Sequence, residues 1–171
     1  MNHIIQDYYE KSEGETQLTW EDVEKAAGNI ITRMRRDQFA PDIIISIARS
    51  GLIPAALLSY AMGNKQLYVI KIDFSKTQKV GKNQDLRHTP IISQELSKDI
   101  EGLKVLVVDE MVVSGATLRT VSTYLGMKNP SEVKFAVLYK QPWTQFEPDY
   151  YGEETRAWPI FPWKRLNGVN T

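Results

Sequence analysis

Two adjacent acids, Asp109 and Glu110, follow directly on the apolar run Val105–Val108. Carboxylates beside a buried strand are costly to hold unless cations or hydroxyl donors meet them. The turn Ser114–Thr117, with the sequence Ser-Gly-Ala-Thr, follows shortly after and adds two hydroxyls and two small residues. The pair of acids therefore predicts a polar ligand at this point of the chain.

The turn Ser114–Thr117 leads into a predicted helix. Its backbone amides, its hydroxyls and the positive end of the helix dipole converge on one point, which is suited to a phosphate. A ligand that matches both the acids and the turn has a phosphate next to a pair of hydroxyls, as ribose 5-phosphate does. The alternative is an ordinary strand–loop–helix junction with an acidic edge and a capping serine or threonine.

The acid pair and the turn must be positioned by the rest of the chain, in which helices and strands alternate. Thr19 is a predicted N-cap with Asp22 three residues later, and apolar residues recur at helical spacing as far as Met34. Strands are predicted at 41–48, 67–72, 105–108 and 133–138, and further helices at 52–63 and 116–127.

The alternation predicts an α/β fold with an open, mostly parallel sheet and helices on both faces, since the strands are continuously apolar. In such sheets, ligands bind beyond the carboxyl ends of the strands. Arg49-Ser50-Gly51 lies at one such end and the segment Asp109–Thr117 at another. We expect these two segments to face one crevice.

Composition limits the function classes. A chain of 171 residues is expected to form a single domain, 1–171. Lysine plus arginine equals aspartate plus glutamate at 21 each, which argues against a nucleic-acid or anionic-membrane partner. The absence of cysteine excludes disulfides, thiolate nucleophiles and cysteine-based metal sites. With no signal peptide pattern and no long apolar run, a soluble cytoplasmic protein is expected.

Two segments fall outside the alternation. The polar stretch KTQKVGKNQDLRHT predicts a long loop, at about 74–90, of the length that usually has a function. The aromatic and proline-rich segment at about 140–166 predicts a small C-terminal cap of short strands and turns.

The stretch VLVVDEMVVSGATL resembles the phosphoribosyl diphosphate signature of the type I phosphoribosyltransferases: an apolar strand, two acids, and a Ser/Thr-Gly-x-Thr turn. SIARSGLIPAALLSYAMG is similar to the earlier loop and helix of that family, in which an arginine-containing turn binds diphosphate. The C-terminal segment resembles the base-covering hood of its xanthine-guanine and hypoxanthine enzymes. The resemblance implies transfer of ribose 5-phosphate to a purine base in nucleotide salvage.

The resemblance also implies residue roles. Asp109 and Glu110 would be the catalytic acids, holding the ribose hydroxyls directly or through Mg²⁺, and stabilising a positively charged sugar ring. Mg²⁺ is implied because a diphosphate leaving group needs its charge neutralised. The 5-phosphate would lie against Val113, Ser114, Gly115, Ala116 and Thr117. The diphosphate would lie against Arg49, Ser50 and Gly51.

Further roles concern the lid and the base. The loop at 74–90 would close over the diphosphate, with Lys76 and Arg87 as candidate contacts. Lys140 would bind the six-position oxygen of a purine, Trp158 would stack on its ring, and the Ile160 backbone would meet an exocyclic group. Aromatic clusters are also common in cores and dimer contacts. The family usually acts as a dimer or tetramer, so a homodimer or homotetramer is expected.

Val113 departs from the family's pattern, because purine enzymes usually have an aspartate there, placed to move the proton on N7 of the base. Valine can neither accept a proton nor form a hydrogen bond. Three functions stay open: a purine phosphoribosyltransferase, which is the preferred reading, a phosphoribosyltransferase with another acceptor, and a non-catalytic sensor of phosphoribosyl diphosphate or nucleotide.

Overall fold

A mostly parallel sheet forms the centre of the computed structural model, which describes residues 9–75 and 89–168. The strands are β1 (Glu15–Gln17), β2 (Ile43–Ala48), β3 (Leu67–Ser75), β4 (Thr89–Gln94), β5 (Lys104–Val112), β6 (Glu132–Lys140), β7 (Tyr150–Glu154) and β8 (Trp158–Ile160). The central sheet has the order β4-β3-β2-β5-β6-β7, and only the β3–β4 pair is antiparallel. Strands β1 and β8 form a separate parallel pair.

Helices cover both faces of this sheet. They are α1 (Trp20–Arg36), α2 (Leu52–Met62) and α3 (Ala116–Gly126), and a 3-10 helix spans Pro162–Gly168. Buried residues of α1 and α2 pack with Leu106 and Val108 of β5 on one face. Buried residues of α3 pack with Val105 and Val107 on the other. The α/β fold predicted from the alternation is confirmed.

Local signals set the start of α1. The Thr19 hydroxyl accepts a hydrogen bond from the Asp22 amide at 3.1 Å, and the Asp22 carboxylate accepts one from the Thr19 amide at 2.8 Å. This reciprocal capping box satisfies amides that the first helical turn leaves without partners. The predicted N-cap is confirmed.

The structure differs from the sequence prediction at three places. Strand β5 runs on through the acid pair to Val112. Both ends of the predicted loop at 74–90 belong to strands, because β3 extends to Ser75 and β4 begins at Thr89. Part of the predicted C-terminal cap belongs to the main sheet, since β7 pairs with β6. What stands outside the central sheet in this region is β8, paired with β1, and the 3-10 helix.

Candidate active site

The turn after β2 lies directly against β5. A Cβ on Gly51 would be 2.4 Å from the Val108 carbonyl oxygen and 2.8 Å from that of Ile47, so only glycine fits. The Gly51 amide donates to the Ile47 carbonyl at 2.9 Å, and the peptide bond between Ala48 and Arg49 is cis. Since Val108 precedes Asp109, this packing brings the Arg-Ser-Gly turn beside the acid pair.

Asp109 and Glu110 are both buried, with 9% and 4% of their surfaces exposed. As neighbours on a strand, their side chains point to opposite faces of the sheet. The Asp109 carboxylate accepts a hydrogen bond from the Glu110 amide at 2.8 Å. Burial and, secondarily, the Glu110 charge raise the pKa of Asp109 to about 8. Asp109 is therefore largely protonated at neutral pH in the free protein.

Glu110 is bound by the C-terminal 3-10 helix. The Trp163 indole Nε1 donates to Glu110 Oε2 at 3.1 Å, and the Lys164 ammonium bonds to Oε1. The Trp163 ring stacks on Phe161, with centroids 4.7 Å apart, and contacts the Trp20 ring at 5.7 Å. A carboxylate this deeply buried needs such partners, because an unpaired charge in a low-dielectric site is strongly unfavourable.

A cavity of about 210 Å³ lies at this junction. Its lining residues are Arg49, Ser50, Ile53, Glu110, Trp163 and Lys164. The prediction that the turn after β2 and the acid pair face one crevice is thus confirmed for Arg49, Ser50 and Glu110. Neither Asp109 nor the turn Ser114–Thr117 lines this cavity.

The turn Ser114–Thr117 connects β5 to α3 and is braced by the segment that follows β6. Gly115 has a φ of 82°, and a Cβ there would be 2.4 Å from Phe146 Cβ. The Ser114 carbonyl accepts from the Gln145 amide at 3.3 Å, and its hydroxyl accepts from the Ala116 amide at 3.3 Å. Thr117 lies in the first turn of α3, so the predicted helix N-terminus at this turn is confirmed.

Comparison with known proteins identifies this arrangement. The phosphoribosyl transferase domain model matches residues 15–164. The chain belongs to the phosphoribosyltransferase family. It is therefore an enzyme, a glycosyltransferase that transfers a pentose group, and the resemblance of its signature stretch is confirmed.

Two named relatives and one solved structure illustrate the similarity. The chain is 30% identical to xanthine-guanine phosphoribosyltransferase of Gluconobacter oxydans over 85% of its length and 82% of the relative. It is 27% identical to hypoxanthine-guanine phosphoribosyltransferase of Aquifex aeolicus, over 67% and 64%. The crystal structure of a purine phosphoribosyltransferase from Pyrococcus horikoshii matches with a TM-score of 0.75 and 33% identity, over 88% of this chain and 93% of that one.

Lys140 of this phosphoribosyltransferase ends β6 and is buried, with 8% of its surface exposed. Its ammonium bonds to Glu147, lies 3.3 Å from a Glu154 carboxylate oxygen and sits 4.5 Å from the Tyr151 ring centroid. Burial alone would lower the pKa of Lys140, but the hydrogen bonds to both glutamates raise it. The side chain is thus a charged donor, and its contact with a base stays a prediction.

Trp158 and Ile160 lie in β8, in the small parallel pair with β1. The Trp158 ring is half-buried and meets the Tyr9 ring edge-on, with centroids 5.4 Å apart. The Ile160 carbonyl accepts a hydrogen bond from the Leu18 amide at 2.9 Å. The phosphoribosyltransferase therefore already uses this carbonyl within its own fold, and stacking of Trp158 on a base stays a prediction.

Two cavity residues, Trp163 and Lys164, are not among the residues predicted for the active site of this phosphoribosyltransferase. Their only sequence signal is a position late in the aromatic C-terminal segment, which does not reveal a contact with Glu110, 53 and 54 residues earlier. The lid candidates Lys76 and Arg87 lie outside the described residues. Within residues 9–75 and 89–168, no helix is long and apolar enough to cross a membrane.

The carboxylates of Asp109 and Glu110 are the type of ligand that a hard cation such as Mg²⁺ prefers, but they are not placed to coordinate one ion together. They point to opposite faces of the sheet, and both oxygens of Glu110 already have partners in Trp163 and Lys164. In the described part of this phosphoribosyltransferase, no three histidine, aspartate or glutamate side chains cluster to hold a metal. Coordination of one ion by Asp109 and Glu110 together stays a prediction.

Proposed function

We propose that the protein transfers ribose 5-phosphate from phosphoribosyl diphosphate to a purine base of the guanine, xanthine or hypoxanthine type, releasing diphosphate, in nucleotide salvage. Membership of the family supplies the reaction class. The observation that carries the proposal is the shared cavity in which Arg49 and Ser50 meet Glu110, since it joins a cationic turn to an acid where sugar and diphosphate would meet. A cytoplasmic location is part of the proposal.

The purine acceptor is supported by two similarities. The relative from Gluconobacter oxydans is a xanthine-guanine phosphoribosyltransferase, and the structure from Pyrococcus horikoshii is a purine enzyme. Lys140 is a charged donor next to β5, because it pairs in register with Val112. In this proposal Lys140 exchanges a glutamate partner for the six-position oxygen of the base. Trp158 and Ile160 contact the base from the side of β8.

The acids act by electrostatics in this proposal. As the bond between C1 and diphosphate breaks, positive charge develops on the ribose ring, and fixed negative groups nearby lower the energy of that state. Asp109, protonated in the free protein, would donate a hydrogen bond to a ribose hydroxyl or release its proton when a cation binds beside it. Glu110 supplies a charged oxygen on the opposite side of the strand.

In this proposal, backbone amides together with hydroxyl groups and Arg49 hold the phosphate groups of the substrate. Amides at the start of α3 and the hydroxyls of Ser114 and Thr117 would hold the 5-phosphate, and the Gly51 turn with Arg49 would hold the diphosphate. Mg²⁺, which commonly binds through substrate phosphates and one or two carboxylates, would neutralise the leaving group. On this geometry we propose that at most one carboxylate of the pair contacts the ion.

A different acceptor is the second candidate, and Val113 favours it. This half-buried residue sits between β5 and the turn, where purine enzymes usually have a proton-accepting aspartate. A valine there makes the neighbourhood of the base less polar.

A screen of free bases tests both candidates. Purified protein is incubated with Mg²⁺, phosphoribosyl diphosphate and single purine or pyrimidine bases, and nucleotide formation and diphosphate release are both followed. We expect turnover with at least one of guanine, xanthine or hypoxanthine. Turnover only with another base identifies the second candidate, and tight binding without turnover of any base would contradict both and point to the non-catalytic sensor.

The matched control for the screen is the variant Asp109→Asn/Glu110→Gln. It keeps the shapes of both side chains, removes the Glu110 charge and leaves at position 109 an amide that cannot ionise. We expect turnover to fall at least about a hundredfold, because an electrostatic contact of this kind is commonly worth that much. Retention of the fold is checked by circular dichroism. Unchanged turnover in a folded variant would contradict the role of the acids.

We also propose that the protein acts as a homodimer or homotetramer, with no nucleic-acid partner. Helix α2 contains no charged residue, and its Tyr60 side chain is 89% exposed. An apolar helix of this kind is normally covered on all sides.

A further inference from the structure

Lys164 forms part of the cavity wall beside Glu110, and none of the roles proposed above uses it. Its ammonium bonds to the Glu110 carboxylate, and its side chain lines the cavity together with Arg49 and Ser50. The Lys164 side chain is 38% exposed, whereas that of Glu110 is 5% exposed. The lysine therefore contacts a buried acid while part of its surface remains open to a ligand.

The charges around the cavity favour an anion. Among the lining residues that the structure describes, Arg49 and Lys164 are cations and Glu110 is the single acid, so positive charge is in excess there. The volume of about 210 Å³ is below the roughly 300 Å³ at which small-molecule pockets usually begin. A compact anion fits this space better than a whole nucleotide.

Neighbouring contacts fix the lysine in place. Trp163, the preceding residue, is held by its stacking on Phe161 and by its hydrogen bond to Glu110. Lys164 itself lies with its ammonium 5.3 Å from the Phe161 ring centroid. A cation held by its own protein in this way loses little freedom when a ligand arrives, which favours binding.

We propose that Lys164 is a diphosphate-binding residue: its ammonium, held on Glu110, binds an oxygen of the diphosphate group together with Arg49. The inference rests on the proposed function, in which diphosphate is the leaving group. It assigns to the C-terminal 3-10 helix a direct contact with the ligand in addition to its packing role.

A purely neutralising role is the rival explanation, in which Lys164 only balances the charge of Glu110. Replacing Lys164 alone does not separate the two roles, because it leaves a buried carboxylate unpaired and able to repel an anion. The separation needs a background without that carboxylate. Glu110→Gln supplies one, and Glu110→Gln/Lys164→Gln then tests the lysine with no unpaired buried charge.

Inorganic diphosphate in EDTA is the probe, measured by titration calorimetry, so that neither metal nor catalysis contributes. We expect Glu110→Gln to bind diphosphate at least as tightly as the wild type. We expect Glu110→Gln/Lys164→Gln to bind about tenfold or more weakly than Glu110→Gln, as for loss of one charge-assisted hydrogen bond. Lys164→Arg in the wild-type background keeps the cation and is expected to retain binding within about threefold of the wild type.

Lys98→Gln is the control for net charge, because Lys98 is exposed and does not line the cavity. It should bind diphosphate as the wild type does. Equal affinity of Glu110→Gln and its Lys164→Gln double variant would overturn the inference. So would a wild type that does not bind diphosphate in EDTA.

The outcome is independent of the base screen. A protein that forms nucleotide in the screen but whose two Glu110→Gln variants bind diphosphate equally keeps the proposed function and loses this inference. A protein that shows the predicted difference but forms no nucleotide with any base keeps the diphosphate site and loses the proposed activity.

Discussion

The buried Asp109 carboxyl group makes the stability of the fold depend on pH. Its carboxyl group is buried, and its pKa of about 8 compares with about 3.9 for an aspartate in an unfolded chain. Between these values the folded protein keeps a proton that the unfolded chain releases. The free energy of unfolding is therefore expected to fall as the pH rises from about 4 to about 8, by up to about 1.4 kcal/mol per pH unit.

The variant Asp109→Asn should lack this dependence, since an amide does not ionise. The unfolding free energies of both proteins are measured by urea denaturation from pH 4 to pH 8. The value for the variant minus that for the wild type is expected to increase as the pH rises. At pH 8 the variant should be the more stable protein. A difference between the two proteins that stays constant over this range would show that Asp109 ionises normally in the fold.

In the proposed purine reaction, Val113 leaves position 113 without a group that can accept the proton of the base. Val113→Asp would place a carboxylate between β5 and the turn, where general acid–base help is worth about 10² to 10⁴ in rate. We expect at least a tenfold higher rate with one of the purine bases. Val113→Asn is the control, because it has the same shape but cannot take a proton. An equal gain in both variants, or none in either, would argue for a different acceptor.

At the scale of elements, the turn between β5 and α3 depends on Gly115. Its φ of 82° is rarely adopted by other residues, and a Cβ there would overlap Phe146. Gly115→Ala is expected to lower the unfolding free energy by about 1–3 kcal/mol. If the turn holds the 5-phosphate as proposed, the substitution should also weaken binding of phosphoribosyl diphosphate, because the amides of the turn would move. Both are measured, by urea denaturation and by calorimetry.

Gly126, at the other end of the same helix, provides the comparison for this prediction. A Cβ on Gly126 would meet nothing within 4 Å. Gly126→Ala should therefore leave binding unchanged and keep or slightly raise stability, by up to about 1 kcal/mol. Similar losses in the two variants would mean that the turn tolerates a side chain and does not hold the phosphate as proposed.

The elements that the sequence predicted are those set by neighbouring residues. Thr19 and Asp22 cap α1 through contacts three residues apart, and β2 is apolar at every position except Ser46, as is usual for a buried strand of a parallel sheet. The acid pair and the turn Ser114–Thr117 were predictable for the same reason, since each is a continuous stretch of chain.

The parts that sequence reasoning missed depend on distant contacts. β7 lies in the central sheet because it pairs with β6, and Gly152 lets α1 pack closely on it, since a Cβ there would be 2.6 Å from that of Ala26. The contact of Lys164 with Glu110 spans 54 residues. β4 contains Pro90, which has no backbone amide to donate, and lies at the edge of the sheet, where the absence of that hydrogen bond is tolerated. No local pattern of residues identifies such pairs.

At the scale of the whole molecule, helix α2 connects the cavity to an uncovered apolar face. Ile53, in its first turn, lines the cavity. Leu57 and Tyr60, further along the same helix, are 36% and 89% exposed. A second copy of the chain that covers Leu57 and Tyr60 would hold α2, and with it the turn after β2, in one position.

The double variant Leu57→Glu/Tyr60→Glu tests this coupling, because two charges on the apolar face of α2 would prevent a second copy from covering it. We expect the wild type to be a dimer or larger by light scattering at micromolar concentration, and the variant to be a monomer with lower turnover. Met127→Glu, a substitution at a side chain that is 73% exposed just beyond α3, should change neither mass nor turnover. A monomeric wild type, or a variant that keeps the wild-type mass, would contradict an assembly through α2. A monomeric variant with full turnover would show instead that the cavity forms correctly within a single chain, because the core contacts of Ala55 and Leu58 are then enough to hold α2 against β5.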